Sequence, residues 1–161
     1  MKLIILIVST ILNLHSFELD EVRSNYNVFV SDKELCRETI TVLKKLKDNS
    51  AIHLGYLGGL QTIWANHVMS PFTKLETFKA GKKNIELAIK SEPENVELRF
   101  IRLSVQKNAP SFLGYRSNIE SDKNFILKNF KNINSEKLKI LIRNFFKNVN
   151  MLTKEEYNFI N

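Results

Sequence analysis

Cysteine is almost missing from this chain: Cys36 is the one thiol in 161 residues, so no internal disulfide forms and no cysteine-based zinc cluster is available. Proline (3) and glycine (5) are scarce as well, which excludes collagenous and loop-dominated classes, while a 43% hydrophobic share excludes a disordered chain. Strict apolar–polar alternation, the mark of half-buried strands, is nearly absent. Apart from His15, the histidines are His53 and His67, about 21 Å apart along one expected helix, too far to share an ion. There is no His-x-x-x-His, Cys-x-x-Cys or Asp-rich loop, no Gly-x-Ser-x-Gly, and no strand leading into a phosphate-cradling glycine turn. The sequence therefore offers no catalytic residues, no metal site and no cofactor site. Acidic residues are outnumbered, 17 to 24 lysines and arginines, for a net charge of +7. The excess is dispersed after residue 70 with no compact basic run and no arginine–aromatic recognition motif, so nucleic acid is not an expected partner.

Long hydrophobic runs are limited to one. Leu3 to Leu14 is apolar except for Ser9, Thr10 and Asn13, with Lys2 before it and Ser16 after it. This is the layout of a secretory signal peptide, and it is too short for the roughly 20 residues that span a bilayer. The expectation is a signal peptide over 1–16, a single helical domain over 17–161, and an exported protein, periplasmic or secreted, with no stable membrane span after cleavage. Cys36, in Lys33-Glu34-Leu35-Cys36, lies away from the cleavage region and reads as a small buried residue on a helix.

What the sequence does hold is apolar spacing of three and four residues throughout, which predicts an all-α domain. Helices are expected over 19–30, from Ser31 to 46 with Ser31 and Glu34 as a capping box, and over 51–69 behind Ser50. Others follow from Pro71 to about 90, over 96–107, 118–130 and 135–147, and over 154–160 behind Thr153 with Glu156 as its box partner. Ser111–Arg116 reads as a packed loop, and Ser121 and Asp122 as capping residues at a helix start. Gly55, Gly58 and Gly59 cluster in one helix despite a cost of roughly 0.5–1 kcal/mol each, which predicts close approach of a neighbour, with Gly55 and Gly59 on the contacting face. Short connections favour antiparallel hairpins stacked as a bundle or a short solenoid.

The segment from Gly81 to Asn95 resembles the second helix and closing turn of a tetratricopeptide repeat: Gly81, Ile85, Ala88 and Pro93 hold the small, large apolar, alanine and proline places. Tyr56, Gly58 and Trp64 echo the first helix, although Ser70-Pro71-Phe72-Thr73 lengthens the hairpin beyond the usual length of about 34 residues. Arg99 and Arg102 replace bulky apolar groups of the next helix, and one copy is in register. The stretch from Pro71 to Ile126 is also similar to an uncharacterised family of small exported bacterial proteins. The first resemblance implies a scaffold that binds a protein or peptide in a concave face; the second implies an exported helical domain and supplies no chemistry.

The candidate ligand-binding residues are Arg99, Arg102 and Gln106, aligned on one face of the fifth expected helix, with Asn108, Tyr115 and Arg116 shortly after. Guanidinium, amide and phenol donors in that pattern suit a carboxylate or phosphate, such as an acidic peptide side chain or a C-terminus. The leading functional reading is a helical protein- or peptide-binding module. The alternative is a small-ligand-binding protein or enzyme with an arginine-lined anion site.

Overall fold

The computed structural model describes residues 19–46, 48 and 50–160; the expected signal segment over 1–16 lies outside the described residues. Every regular element among the described residues is helical, so the protein is all-α. The α-helices are α1 (19–25), α2 (Lys33–Lys45), α3 (Ala51–His67), α4 (Pro71–Ser91), α5 (Val96–Asn108), α6 (Ile119–Asn129), α7 (Glu136–Val149) and α8 (Lys154–Ile160). Short 3-10 turns cover Val28–Val30, Ser111–Leu113 and Phe130–Asn132.

Local chemistry starts most of these helices where the sequence suggests. Ser50, Ser70 and Ser135 accept the first free amides of α3, α4 and α7, and Pro71 occupies the opening turn of α4, where its missing N–H costs nothing. Thr153 and Glu156 exchange both bonds of a capping box, Thr153 N to Glu156 Oε2 at 2.9 Å and Glu156 N to Thr153 Oγ1 at 3.2 Å. The two departures with the clearest local cause lie near the N-terminus. The first helical stretch stops at residue 25 and gives way to the Val28–Val30 turn. That turn occupies Ser31, whose amide and hydroxyl both donate to the Val28 carbonyl. The α2 cap therefore passes to Asp32, which accepts from Leu35 N at 2.9 Å.

Consecutive helices pack as hairpins around α3 and α5. Helix α3 touches α2, α4 and α5, while α5 also meets α4, α6 and α7. Both are buried around much of their circumference, as residues in the centre of a bundle must be. Tyr26, Tyr56, Phe100 and Phe145 form a chain of edge-on and tilted rings, with centroids 5.9, 6.2 and 5.5 Å apart, that ties the N-terminal segment, α3, α5 and α7 into one core.

The clustered glycines do mark a close approach, on a different pair from the one expected. A Cβ on Gly58 would lie 2.6 Å from the Gly81 carbonyl oxygen and 2.9 Å from Ile85 N, and one on Gly81 would lie 2.5 Å from the Gly58 carbonyl oxygen. Helices α3 and α4 thus meet backbone to backbone, Gly58 against Gly81. Gly55 and Gly59 face side chains instead, Leu98 and the Tyr26 hydroxyl. The Gly58 signal is diluted in the sequence because its counterpart lies on the next helix.

Candidate functional site

The expected site residues begin on α5, whose N-terminal amides at Glu97 and Leu98 are capped by the Asn95 side chain. Arg102 is 5% exposed and grips the fully buried Asp122 of α6 with two parallel bonds, Nε to Oδ2 at 2.7 Å and Nη2 to Oδ1 at 2.8 Å. Its remaining nitrogen reaches Glu86 of α4 at 3.1 Å. Arg99 joins the same carboxylate at 3.1 Å, donates to the Pro93 carbonyl and lies over the Phe125 ring. Tyr115 donates to Glu86 at 2.6 Å. Arg99, Arg102 and Tyr115 therefore do converge, but on two acids of the same chain that neutralise them in place.

The other expected residues go elsewhere. Gln106 is fully buried and exchanges bonds with Asn118 through its side-chain amide and carbonyl, at 3.2 Å each. Asn108 donates to the Ser104 carbonyl, and Arg116 turns back onto the Ala109 carbonyl. Asp122 sits inside α6 as the counter-charge of two arginines, so it is not a helix cap.

A second ionic cluster lies toward the start of α5. Arg23 holds Glu97 by two bonds of 2.6 and 2.7 Å and Asp20 by one of 2.8 Å, and Tyr56 donates to the same Glu97. Burial pulls the Arg23 and Arg102 guanidiniums down, but the hydrogen bonds and charges of Glu97, and of Asp122 with Glu86, outweigh it and both end above their ordinary value. Burial first, then the neighbouring carboxylates, raises the Tyr56 and Tyr115 phenols well above their usual range. These groups hold their protons tightly and act as structural donors, unsuited to proton transfer near neutrality.

One arrangement has the residue types of a nucleophilic triad without its geometry. Asp48 Oδ2 and Ser50 Oγ lie 2.7 and 3.1 Å from the same His53 atom, Nδ1. A triad needs the acid and the hydroxyl on opposite ring nitrogens, so that one orients while the other transfers a proton. Ser50 instead caps α3. Among the described residues no group of three histidine, cysteine or acidic side chains could hold a metal ion, and no helix is long and apolar enough to cross a membrane.

A cleft of about 560 Å³ lies between the Val28–Val30 turn, the C-terminal half of α3, the first turns of α4, the end of α5, the Ser111–Leu113 turn and Phe145 of α7. Its buried walls include Ala65, Phe78, Ala109 and Phe145, and the Tyr26 and Ser104 hydroxyls meet there at 3.1 Å. Large apolar groups stand exposed at its edge: Val30, Leu75 and Phe112, the last 83% exposed. Phe72 and Met69, 70% and 93% exposed, extend the apolar surface beyond it. Two of the three prolines, Pro71 and Pro110, line the cleft, each with its φ fixed by the ring. Gly114, at φ 59°, closes the turn that carries Phe112 in a left-handed conformation that other residues adopt only with strain.

Neither a protein-family model, nor a curated protein, nor a solved structure matches this chain. The site must be read from its own chemistry. Of the expected residues, Asn108 alone lines the cleft. Lys74, Leu75 and Phe112 line it without having been singled out, yet the sequence carries a trace of them. The apolar stripe Phe72, Leu75, Phe78, Ile85, Ala88, Ile89 on α4 is longer than the core needs: its last four members are buried and its first two are not.

The core's own titratable groups give a checkable consequence. Burial pushes the Cys36 thiol up to about 11 and the Tyr26 phenol up to about 12, against ordinary values of 9.0 and 10.0. The folded state keeps these protons after the unfolded chain has lost them, so their contribution is complete below pH 9 and is lost as pH rises toward 12. Denaturant midpoints are expected to fall between pH 8.5 and pH 11, and to fall less in Tyr26→Phe. Equal slopes in the two proteins would remove the phenol from the explanation.

Proposed function

We propose that this chain is an exported helical binding module whose cleft receives an apolar segment of a polypeptide partner. The observation that carries the reading is the cleft itself: it lies in the roughly 300–1,000 Å³ range of ligand sites, its walls are mainly apolar, and its edge presents exposed Phe112, Leu75 and Val30. Exposed apolar groups around a concave surface are how binding faces differ from ordinary soluble surface. The close α3–α4 hairpin at Gly58 and Gly81 supports a tetratricopeptide-like scaffold, and the N-terminal apolar run supports export. The arginine-lined anion site has less in its favour, since Asp122 and Glu86 take up its charge.

Selection from a random peptide library tests the reading. Wild-type protein is expected to enrich sequences dense in leucine and aromatics. The double variant Leu75→Gln, Phe112→Gln, which alters two exposed side chains, should keep its melting temperature and bind the selected peptides at least about tenfold more weakly, as loss of apolar anchors predicts. No enrichment, or enrichment that the double variant retains in full, would overturn the assignment of the cleft.

A further inference from the structure

The cleft's charge is one-sided. Among the described residues that line it Lys74 is the one charged side chain, and no carboxylate accompanies it. The exposed Lys74 ammonium has no ion-pair or hydrogen-bond partner among the described residues, whereas Arg23, Arg99 and Arg102 are all matched to acids of the chain itself. Three asparagines, Asn27, Asn66 and Asn108, line the same cleft. The Asn27 and Asn66 side chains make no hydrogen bond to any described residue, and Asn108 spends only its amide N–H on Ser104. Each primary amide presents a donor and an acceptor, the complement of a peptide unit. The cleft thus offers an apolar bed, unspent amide groups and one cation.

We propose that the occupant is the C-terminal end of a polypeptide finishing in bulky apolar residues, its α-carboxylate paired with the Lys74 ammonium and its last peptide units bonded to the asparagine amides. This rests on the reading of the cleft as the binding element. A chain end brings apolar side chains, peptide groups and a full negative charge into a volume of about 560 Å³. A continuous segment would have to enter and leave and would need an acidic side chain placed at Lys74, whereas a chain end carries its charge on its last residue. A lipid acid would answer Lys74 but has no use for the amides, and a second copy of this chain would need a matching acid at the same edge.

The test uses full-length protein and a tetrapeptide, N-acetyl-Ala-Ala-Leu-Phe, as the free acid and as the C-terminal amide, with binding followed by isothermal titration calorimetry. The free acid is expected to bind at least tenfold more tightly than the amide. Lys74→Met, which keeps the aliphatic stem at an exposed position, should abolish that difference, leave amide binding unchanged and leave the melting temperature unchanged. If acid and amide bind alike and both are lost in Leu75→Gln, Phe112→Gln, the cleft reading stands and the chain-end inference falls. If neither peptide binds, both fall. Dodecanoate binding in place of either peptide would assign the cleft to a small apolar acid, and a concentration-dependent dimer that the peptides do not dissociate would assign it to a second copy; either result overturns the proposal.

Discussion

Asp122→Asn is expected to destabilise the protein by about 3–5 kcal/mol, the usual cost of breaking a buried ion pair from one side, and so to lower its melting temperature by about 6–20 °C for a chain of this size. Asp122 is fully buried and accepts from both Arg99 and Arg102. Neutralising it leaves the Arg102 guanidinium with Glu86 alone, through its third nitrogen, inside a helix packed on several sides. Arg99, with a side chain 20% exposed, can turn toward water; Arg102, at 6%, cannot. The penalty therefore comes from the stranded charge more than from the lost attraction. Adding Arg102→Met to Asp122→Leu should recover most of the loss, since an apolar pair of similar volume spares both desolvation costs. Thermal melting of the three proteins decides the matter: a single variant that melts within 3 °C of wild type would show that the network is not under this strain.

Gly58→Ala should cost as much as the upper end of the overpacking range, about 3 kcal/mol, even though alanine is the better helix former by about 1 kcal/mol. The added methyl would meet backbone atoms, the Gly81 carbonyl oxygen at 2.6 Å and Ile85 N at 2.9 Å. Neither can rotate away, so α3 and α4 must separate and their packed faces lose contact. Gly55→Ala is the control within the same helix, because its nearest obstacle is a Leu98 methyl, the end of a flexible side chain that yields more cheaply than backbone. The expected order of denaturant midpoints is wild type close to Gly55→Ala, with Gly58→Ala far below. Gly55→Ala falling as far as Gly58→Ala would mean that backbone approach is not what distinguishes the two sites.

The fold was legible in the sequence because helical spacing and capping are local. Ser50, Ser70 and Thr153 act within a few residues of themselves, and the spacing of Ile85, Ala88 and Ile89 can be read inside one window. Ser31 failed as a cap because the turn at Val28–Val30 claimed it first, a competition that spacing alone does not register. The arginine face was visible for the same local reason. Its meaning was not, because Asp122 and Glu86 lie far along the chain and on other helices, and Asp122 has the look of a helix-start residue. The cleft is harder still, since it is assembled from six separate segments. What hints at it is a surplus: Phe72 and Leu75 continue an apolar stripe past the point where burial ends.

The two ionic clusters on α5 also work as an angular latch. At about 100° per residue, Glu97 and Arg102 point roughly 140° apart around the helix axis, one toward Arg23 and Tyr56 and the other toward Asp122 and Glu86. Any turn of α5 about its axis would unseat both at once and leave charges buried without partners. The far end of that helix carries Ser104, Val105 and Asn108 into the cleft, so their directions are set before anything binds. A guest then finds a wall already in place, and less of its binding free energy goes into arranging the host.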